Sequence, residues 1–147
     1  MRRPYTQLYL HFVWSTWDRL PLITPALREP IYRCMLEQAR KHRCEVIAIG
    51  GVEDHVHVLL EFHPMARISE VVQHVKGASS HLVTQELAPG EFFKWQGAYG
   101  AFSLSKRQVP HVRRYIHHQE EHHHAGTTIP ALERTSVEER RPSAEPP

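Results

Sequence analysis

The alternation of polar and apolar residues is clearest between Glu53 and Phe62, a stretch that predicts a half-buried β-strand. The apolar face of this strand should pack on a core, while the opposite face holds two imidazoles side by side. Such a His-x-His pair can donate two nitrogens to a divalent metal ion, although similar pairs also occur on strands that bind nothing. The polar face comprises His55, His57, Leu59 and Glu61, and the apolar face Val56, Val58, Leu60 and Phe62.

The other elements follow from the same kind of pattern. Runs rich in aromatic and β-branched residues predict strands. Apolar residues spaced three and four apart predict amphipathic helices. Besides the histidine strand, the pattern predicts strands over 5–15, 44–49 and 99–104 and helices over 25–43, 69–87 and 108–124.

Local signals refine these boundaries. Gly50 and Gly51 predict the turn that leads into the histidine strand. Ser69 is a candidate N-cap of the second helix, and Gly77 in the middle of that helix predicts a close contact with a neighbouring element. Pro30 leaves open whether the first helix begins at its first predicted residue or later.

The order of the elements is β-α-β-β-α-β followed by a third helix. This order is that of the split βαβ plan, ferredoxin-like or RRM-like, in which a four-stranded antiparallel sheet carries two helices on one face. We therefore expect an α+β domain over residues 1–124. Residues 125–147 are rich in Pro, Glu and Arg and predict a partly disordered tail, with disorder from about Arg140 and a short helix over 129–139 left open.

Composition changes this picture little. A chain of 147 residues, 41% hydrophobic and 23% charged, is typical of one soluble globular domain. No apolar run is long enough to cross a membrane, and Cys34 and Cys44 form no CxxC motif, so we expect a cytoplasmic protein with reduced thiols. A formal net charge of +2 permits nucleic-acid binding without arguing for it. A glycine-rich phosphate loop ending in Lys-Ser/Thr is absent from the sequence, so no nucleotide cofactor is expected.

The predicted third helix carries Tyr115 and Gln119, which are four residues apart and therefore project from the same face. If that face lies over the histidine strand, a phenol and an amide oxygen approach the same ion as His55 and His57. Gln119 would then be a third ligand. The alternative is a partly buried tyrosine with its hydroxyl satisfied and a solvated glutamine, and the residues alone leave both interpretations open.

Three segments together are characteristic. His55-Val56-His57, the segment from Trp95 to Ser103, and the helix from Tyr115 to Gln119 closely resemble the single-tyrosine HUH transposases of bacterial insertion sequences and their relatives associated with repetitive palindromes. The resemblance runs from about residue 5 to residue 124. It departs from the family pattern in the loop after the first strand, in the extra imidazoles of the tyrosine helix, and in the proline-rich end of the chain.

This resemblance implies phosphoryl transfer by a covalent route. Tyr115 would attack the scissile phosphate and leave a 5′-phosphotyrosine and a free 3′-hydroxyl; a phenol suits this task because its pKa of about 10 makes it easier to deprotonate than an alkyl alcohol. The resemblance also implies that His55, His57 and Gln119 hold Mg²⁺ or Mn²⁺. The group that takes the phenolic proton stays open, with His118 as a candidate.

The implied substrate is single-stranded DNA with an imperfect hairpin at each element end. The implied assembly is a homodimer in which the tyrosine helix of one subunit could complete the site of the other, although some relatives act as monomers. Basic and aromatic residues around the site should contact the DNA. The candidates are Arg113, Arg114, Lys76, His74, Lys94, Lys106 and Arg107, with exposed Trp95 and Tyr99 stacking on unpaired bases.

Several alternatives belong to other functional classes. A domesticated transposase would keep hairpin binding and lose transposition, and the sequence alone does not exclude it. An RNA-binding module is disfavoured because the fourth strand lacks the aromatic-rich signature of such domains. A metal-dependent hydrolase would be favoured by a third alternating histidine, but that position is Leu59. Rolling-circle replication initiators need a helicase region for which there is no room.

Overall fold

The computed structural model describes residues 2–137, so the disorder predicted from Arg140 lies outside the described residues. Within this range, none of the helices has the length and apolar character needed to span a membrane. In chain order the main elements are β1 (Tyr9–Ser15), α1 (Pro25–Lys41), β2 (Glu45–Val52), β3 (His55–Glu61), α2 (Ile68–Leu82), β4 (Gly100–Leu104), α3 (Val109–His117) and α4 (Gln119–Ala125), with short 3₁₀ turns at Trp17–Arg19 and Pro130–Leu132.

The four strands form one antiparallel sheet in the order β2-β3-β1-β4. This is the strand order of the ferredoxin-like plan, so the predicted α+β fold is confirmed. Helices α1 and α2 pack against each other and cover one face of the sheet, where Phe12, Trp14 and Val58 contribute to the main core. Helix α3 covers the opposite face through a smaller apolar cluster that contains Leu59 and Ile116.

Strand β3 is buried on both faces, which differs from the half-buried strand that its alternation predicts. The apolar side chains of β3 face α1 and α2, as expected. The histidine face is also buried, since α3, α4 and the segment after α4 lie over it; His57 has no exposed surface and His55 retains 2%. A polar strand face covered in this way must find partners for its imidazoles inside the protein.

Several predicted boundaries shift. Gly50 and Gly51 lie inside β2, and the turn into β3 falls instead at Glu53-Asp54, because the pairing of β2 with β3 continues through both glycines. The N-cap of α2 is Arg67 rather than Ser69. The predicted third helix is divided into α3 and α4 by the non-helical backbone of His118.

Gly50 sets the distance between α3 and the sheet. A Cβ atom at this position would overlap the carbonyl oxygen of Ile116 and lie 3.0 Å from its carbonyl carbon. Gly50 is paired with His57 on the neighbouring strand, and Ile116 follows Tyr115 directly. The missing side chain therefore allows the backbone of the tyrosine helix to rest on the sheet beside the histidines.

Substituting Gly50 by alanine should destabilise the protein, whereas Gly77→Ala should stabilise it. The added methyl group at Gly50 forces α3 away from the sheet, at a cost of about 1–3 kcal/mol. At Gly77 a Cβ atom would meet nothing within 4 Å, so the predicted close contact there is wrong. Relief of a helical glycine should contribute about 0.5–1 kcal/mol. Urea unfolding of both variants measures the two effects, and equal shifts in the same direction would contradict the packing described for Gly50.

Candidate active site

The two strand histidines point their Nε2 atoms into one small space. Nε2 of His57 lies 2.9 Å from Oε2 of Glu133, and Nε2 of His55 lies 3.3 Å from the same oxygen. Nε2 of His55 also lies 3.2 Å from Oε1 of Gln119, which is 1% exposed. Gln119 is thus placed beside His55, and both belong to the ligand set proposed from the sequence. His55, His57 and Glu133 offer three donor atoms within 4.8 Å of one another.

The other ring nitrogens of the two histidines also have partners. Nδ1 of His55 lies 2.7 Å from a carboxylate oxygen of Asp54, and Nδ1 of His57 lies 2.8 Å from Nε2 of His11 on β1. A carboxylate that accepts the Nδ1 proton of an imidazole leaves the Nε2 lone pair free for a metal ion. Asp54 therefore fixes His55 in the tautomer that a ligand requires.

Tyr115 on α3 reaches the same space. Its hydroxyl donates a hydrogen bond of 2.5 Å to Oε1 of Glu133 and accepts one of 2.9 Å from the backbone N–H of Ile129. Its ring lies edge-on to the ring of His57, with 5.9 Å between centroids. The phenol and the histidine pair of a single chain are consequently joined by one carboxylate, that of Glu133.

Helix α4 completes the cluster. Nε2 of His123 lies 3.0 Å from Oε1 of Gln119 and 3.1 Å from Nε2 of His55. An ion pair between Arg28 of α1 and Glu120 of α4 ties this helix to the rest of the domain. Because α4 begins at Gln119, its position decides how closely the amide approaches His55.

The electrostatics of the site follow from burial and from Glu133. Burial alone would lower the pKa of His55, but hydrogen bonds to Asp54 and Glu133 raise it to about 9. Burial lowers the pKa of His57, with Glu133 opposing the shift. Burial would raise the pKa of Glu133, yet its hydrogen bonds with both histidines hold it well below its usual range. Burial, and then the hydrogen bond to Glu133, raise the pKa of Tyr115. Glu133 is therefore a carboxylate facing a buried phenol.

A comparison with known protein families assigns the chain to a family. The sequence profile of the family described as "Transposase IS200 like" matches residues 4–119, which is most of the chain. The chain belongs to the IS200-like transposase family. The family resemblance inferred from the sequence is thus confirmed, and the protein is assigned to the transposases, enzymes that cleave DNA. The match ends at Gln119, so Glu133 lies outside it.

Solved structures show the same fold. A candidate transposase from Deinococcus radiodurans R1 is 23% identical, with a TM-score of 0.60 over 81% of this chain and 96% of its own. A REP-associated tyrosine transposase, solved bound to a REP hairpin, is 16% identical, with a TM-score of 0.63 over 87% of this chain and 74% of its own. No curated protein matches the sequence. At these identities the likeness establishes the architecture of the transposase and not its substrate.

Four residues of the candidate site were not found by sequence reasoning. Asp54 could have been found, because an acidic residue directly before a candidate ligand is a ready partner for its ring. His11 could be found only once β1 is paired with β3. His123 is four residues after Gln119 and shares its helix face. Glu133 gives no such signal, because it follows a 3₁₀ turn in a stretch without periodicity.

Most of the basic residues predicted to contact DNA lie on the surface of the protein. Arg113 and Arg114 are the two residues of α3 directly before Tyr115, and both are exposed. The amine of Lys94 lies 4.0 Å from the ring centroid of Trp17. Five of the predicted basic residues are exposed, namely Lys94, Lys106, Arg107, Arg113 and Arg114.

The predicted exposure of Trp95 is wrong. Its side chain is only 5% exposed, it packs edge-on against Trp14, and its indole N–H donates to the hydroxyl of Ser79 at 2.9 Å. A residue that fills the core cannot stack on a DNA base. Tyr99 is half-buried against the same core.

The second helix contributes less to an open surface than its sequence suggests. Lys76 donates to the backbone carbonyls of Gln96 and Ala98, and burial lowers the pKa of its amine. It therefore ties α2 to the loop before β4. His74 is exposed, but its Nδ1 lies 2.7 Å from Nε2 of His42, which directly follows α1.

Proposed function

We propose that this transposase cleaves and rejoins single-stranded DNA at element ends through a 5′-phosphotyrosine intermediate formed on Tyr115. One observation carries the proposal: the hydroxyl of Tyr115 and the Nε2 atoms of His55 and His57 all contact the same carboxylate, at 2.5 to 3.3 Å. A phosphate group bound beside that carboxylate would meet the nucleophile and the histidine pair together. Attack on phosphorus requires this juxtaposition.

The reaction exchanges one phosphodiester for another. The phenolic oxygen of Tyr115 forms a bond to phosphorus as the bond from phosphorus to the 3′-oxygen breaks, and the released oxygen takes a proton to become a 3′-hydroxyl. A second DNA end can reverse the step, because a phenolate is a better leaving group than an alkoxide. Glu133 Oε1 already accepts the phenolic hydrogen bond and is the nearest proton acceptor in the described part of the chain, ahead of His118, whose Nδ1 lies beside the carbonyl of Arg114.

The donor set fits a divalent cation. Nε2 of His55 lies 3.1 to 3.3 Å from Gln119, His123 and Glu133, and one ring nitrogen cannot form hydrogen bonds with all three. Ligand atoms about 3 Å apart are, however, what an octahedral ion with bonds of about 2.1 Å requires. The mixed nitrogen and oxygen donors of His55, His57 and Gln119 suit Mg²⁺ or Mn²⁺. When bound there, the ion polarises the phosphate and offsets charge that develops during transfer.

The proposed substrate is single-stranded DNA with hairpin ends. The REP hairpin bound by one structural neighbour supports this choice, although the likeness itself is one of fold. Exposed Arg113 and Arg114 beside the nucleophile would contact phosphates, with Lys106 and Arg107 continuing the basic surface. We also propose that the protein acts in the cytoplasm as a homodimer. Because Tyr115 meets the histidines of its own chain, that dimer does not require exchange of tyrosine helices.

The experiment is a covalent-adduct assay. Single-stranded oligonucleotides that cover imperfect palindromes flanking the gene are end-labelled and incubated with the protein and Mn²⁺ or Mg²⁺. We expect a labelled adduct that survives denaturation, is absent with the fully duplex form, and maps to the peptide that contains Tyr115. Hairpin binding without any adduct would instead support the domesticated alternative, and neither binding nor adduct would contradict the proposal.

A further inference from the structure

We propose that Glu133 is a protein ligand of the cation held by His55, His57 and Gln119, supplied by the segment that follows α4. The inference rests on the proposed function, since it concerns the same ion. It extends the ligand set beyond the residues matched by the family profile, which ends at Gln119. It also assigns a role to a segment that the sequence places in a tail.

The position of the carboxylate is the first argument. Oε2 of Glu133 lies 2.9 Å from Nε2 of His57 and 3.3 Å from Nε2 of His55, so it faces both strand ligands at once. Nε2 of His123, the other unassigned donor, lies 3.1 Å from Nε2 of His55 and 3.0 Å from Oε1 of Gln119, and the His123 side chain is 33% exposed. Glu133 is therefore better placed than His123 to share an ion with the pair.

The tautomer of His55 is the second argument. Asp54 lies 2.7 Å from Nδ1 and is its partner, so the neutral ring of His55 carries its proton there and presents a lone pair at Nε2. Oε2 of Glu133 also presents a lone pair. Two lone pairs 3.3 Å apart in a buried space repel unless a positive charge lies between them. A divalent cation placed between them would supply this charge to all the donors together.

The segment that carries Glu133 is held in place. The backbone N–H of Ile129 donates to the hydroxyl of Tyr115 at 2.9 Å. On the other side, a Cβ atom at Gly100 of β4 would overlap the carbonyl oxygen of Arg134, so the chain there rests directly on the sheet. Contacts on both sides of the carboxylate leave its side chain only 18% exposed. A ligand fixed in this way loses little conformational entropy when an ion binds.

The chemistry of a carboxylate makes the assignment testable with metal alone. A negatively charged oxygen donor raises affinity for hard divalent ions such as Mn²⁺, which an amide oxygen does only weakly. Glu133→Gln keeps the size of the side chain and replaces one carboxylate oxygen by an amide nitrogen that cannot bind a cation. The matched control is Glu121→Gln, which removes the same charge from an exposed position on α4.

The test is a calorimetric titration of the full-length protein with Mn²⁺ in the absence of DNA. We expect Glu133→Gln to weaken Mn²⁺ binding by at least about tenfold and Glu121→Gln to change it less than threefold. The visible spectrum of the Co²⁺-saturated protein is a second readout, since replacing a ligand alters the Co²⁺ absorption bands even where the ion still binds. Far-UV circular dichroism before metal addition establishes that each variant is folded.

Two results would contradict the inference; the first leaves the proposed histidine site intact, and the second contradicts that site as well. If Glu133→Gln binds Mn²⁺ as tightly as the parent with an unchanged Co²⁺ spectrum, while His57→Ala does not bind it, then Glu133 is not a ligand and the histidine site stands. If His57→Ala also binds the ion as tightly as the parent, the histidine site itself is wrong, and the inference fails with it.

Discussion

Replacing Tyr115 by phenylalanine should abolish the covalent protein–DNA adduct while hairpin binding stays within a factor of about two of the parent. The substitution removes one oxygen atom and leaves the aromatic ring, which packs edge-on to His57. Loss of a nucleophile that forms a covalent intermediate costs several orders of magnitude in rate, about 10⁴ or more. A gel of labelled hairpin DNA under denaturing conditions measures the adduct, and a native gel of the same samples measures binding.

The same substitution carries a structural cost that must be measured separately. The hydroxyl of Tyr115 donates to Glu133 and accepts from the N–H of Ile129, so both groups lose a partner. We expect a loss of about 1–3 kcal/mol in the free energy of unfolding. Tyr32→Phe is the matched control, because that hydroxyl is buried without a hydrogen-bond partner among the described residues, and its removal should cost nothing. An adduct that survives in Tyr115→Phe would show that another residue is the nucleophile.

The elements that carry the site were predictable because they follow simple periods. The two-residue alternation of β3 placed His55 and His57 on one face. A spacing of four predicted Tyr115 and Gln119 on one helix face, although they lie on either side of the break at His118. Pairing of these two elements could not be derived from either pattern. It depends on the approach of α3 to the sheet at Gly50, a glycine that the sequence suggests to be part of a turn.

Other features of the site depend on tertiary contacts alone. Trp95 lies between α2 and β4, outside the helices and strands predicted from the sequence, where exposure is the default expectation. A backbone bridge to Thr16, the hydroxyl of Ser79 and the ring of Trp14 make it a core residue instead. Glu133 follows a polar, proline-containing segment that is compositionally similar to a disordered tail. Contacts with Tyr115 and the sheet order that segment, and a composition argument contains no information about them.

His57 should be the strand ligand whose loss is most damaging. It is fully buried, its Nε2 faces Glu133, and its Nδ1 is held by His11, whose own pKa is lowered to about 3 by burial and by His57. His11 is therefore neutral, so it orients the ring of His57 without placing a second positive charge beside it. Truncation to alanine removes one ligand and leaves the carboxylate of Glu133 facing an empty space on that side.

We accordingly expect His57→Ala to weaken Mn²⁺ binding by about 100-fold or more and to reduce adduct formation to the level seen with a chelator, while native gels still show the hairpin complex. His124→Ala removes an exposed imidazole from α4 and should leave both measurements unchanged. Retention of cleavage by His57→Ala at saturating chelator would mean that the strand histidines act without a metal ion. The opposite result, recovery of cleavage at high Mn²⁺ concentration, would show that the variant has lost affinity rather than structure, because mass action can restore a weakened ligand set but not a misfolded site.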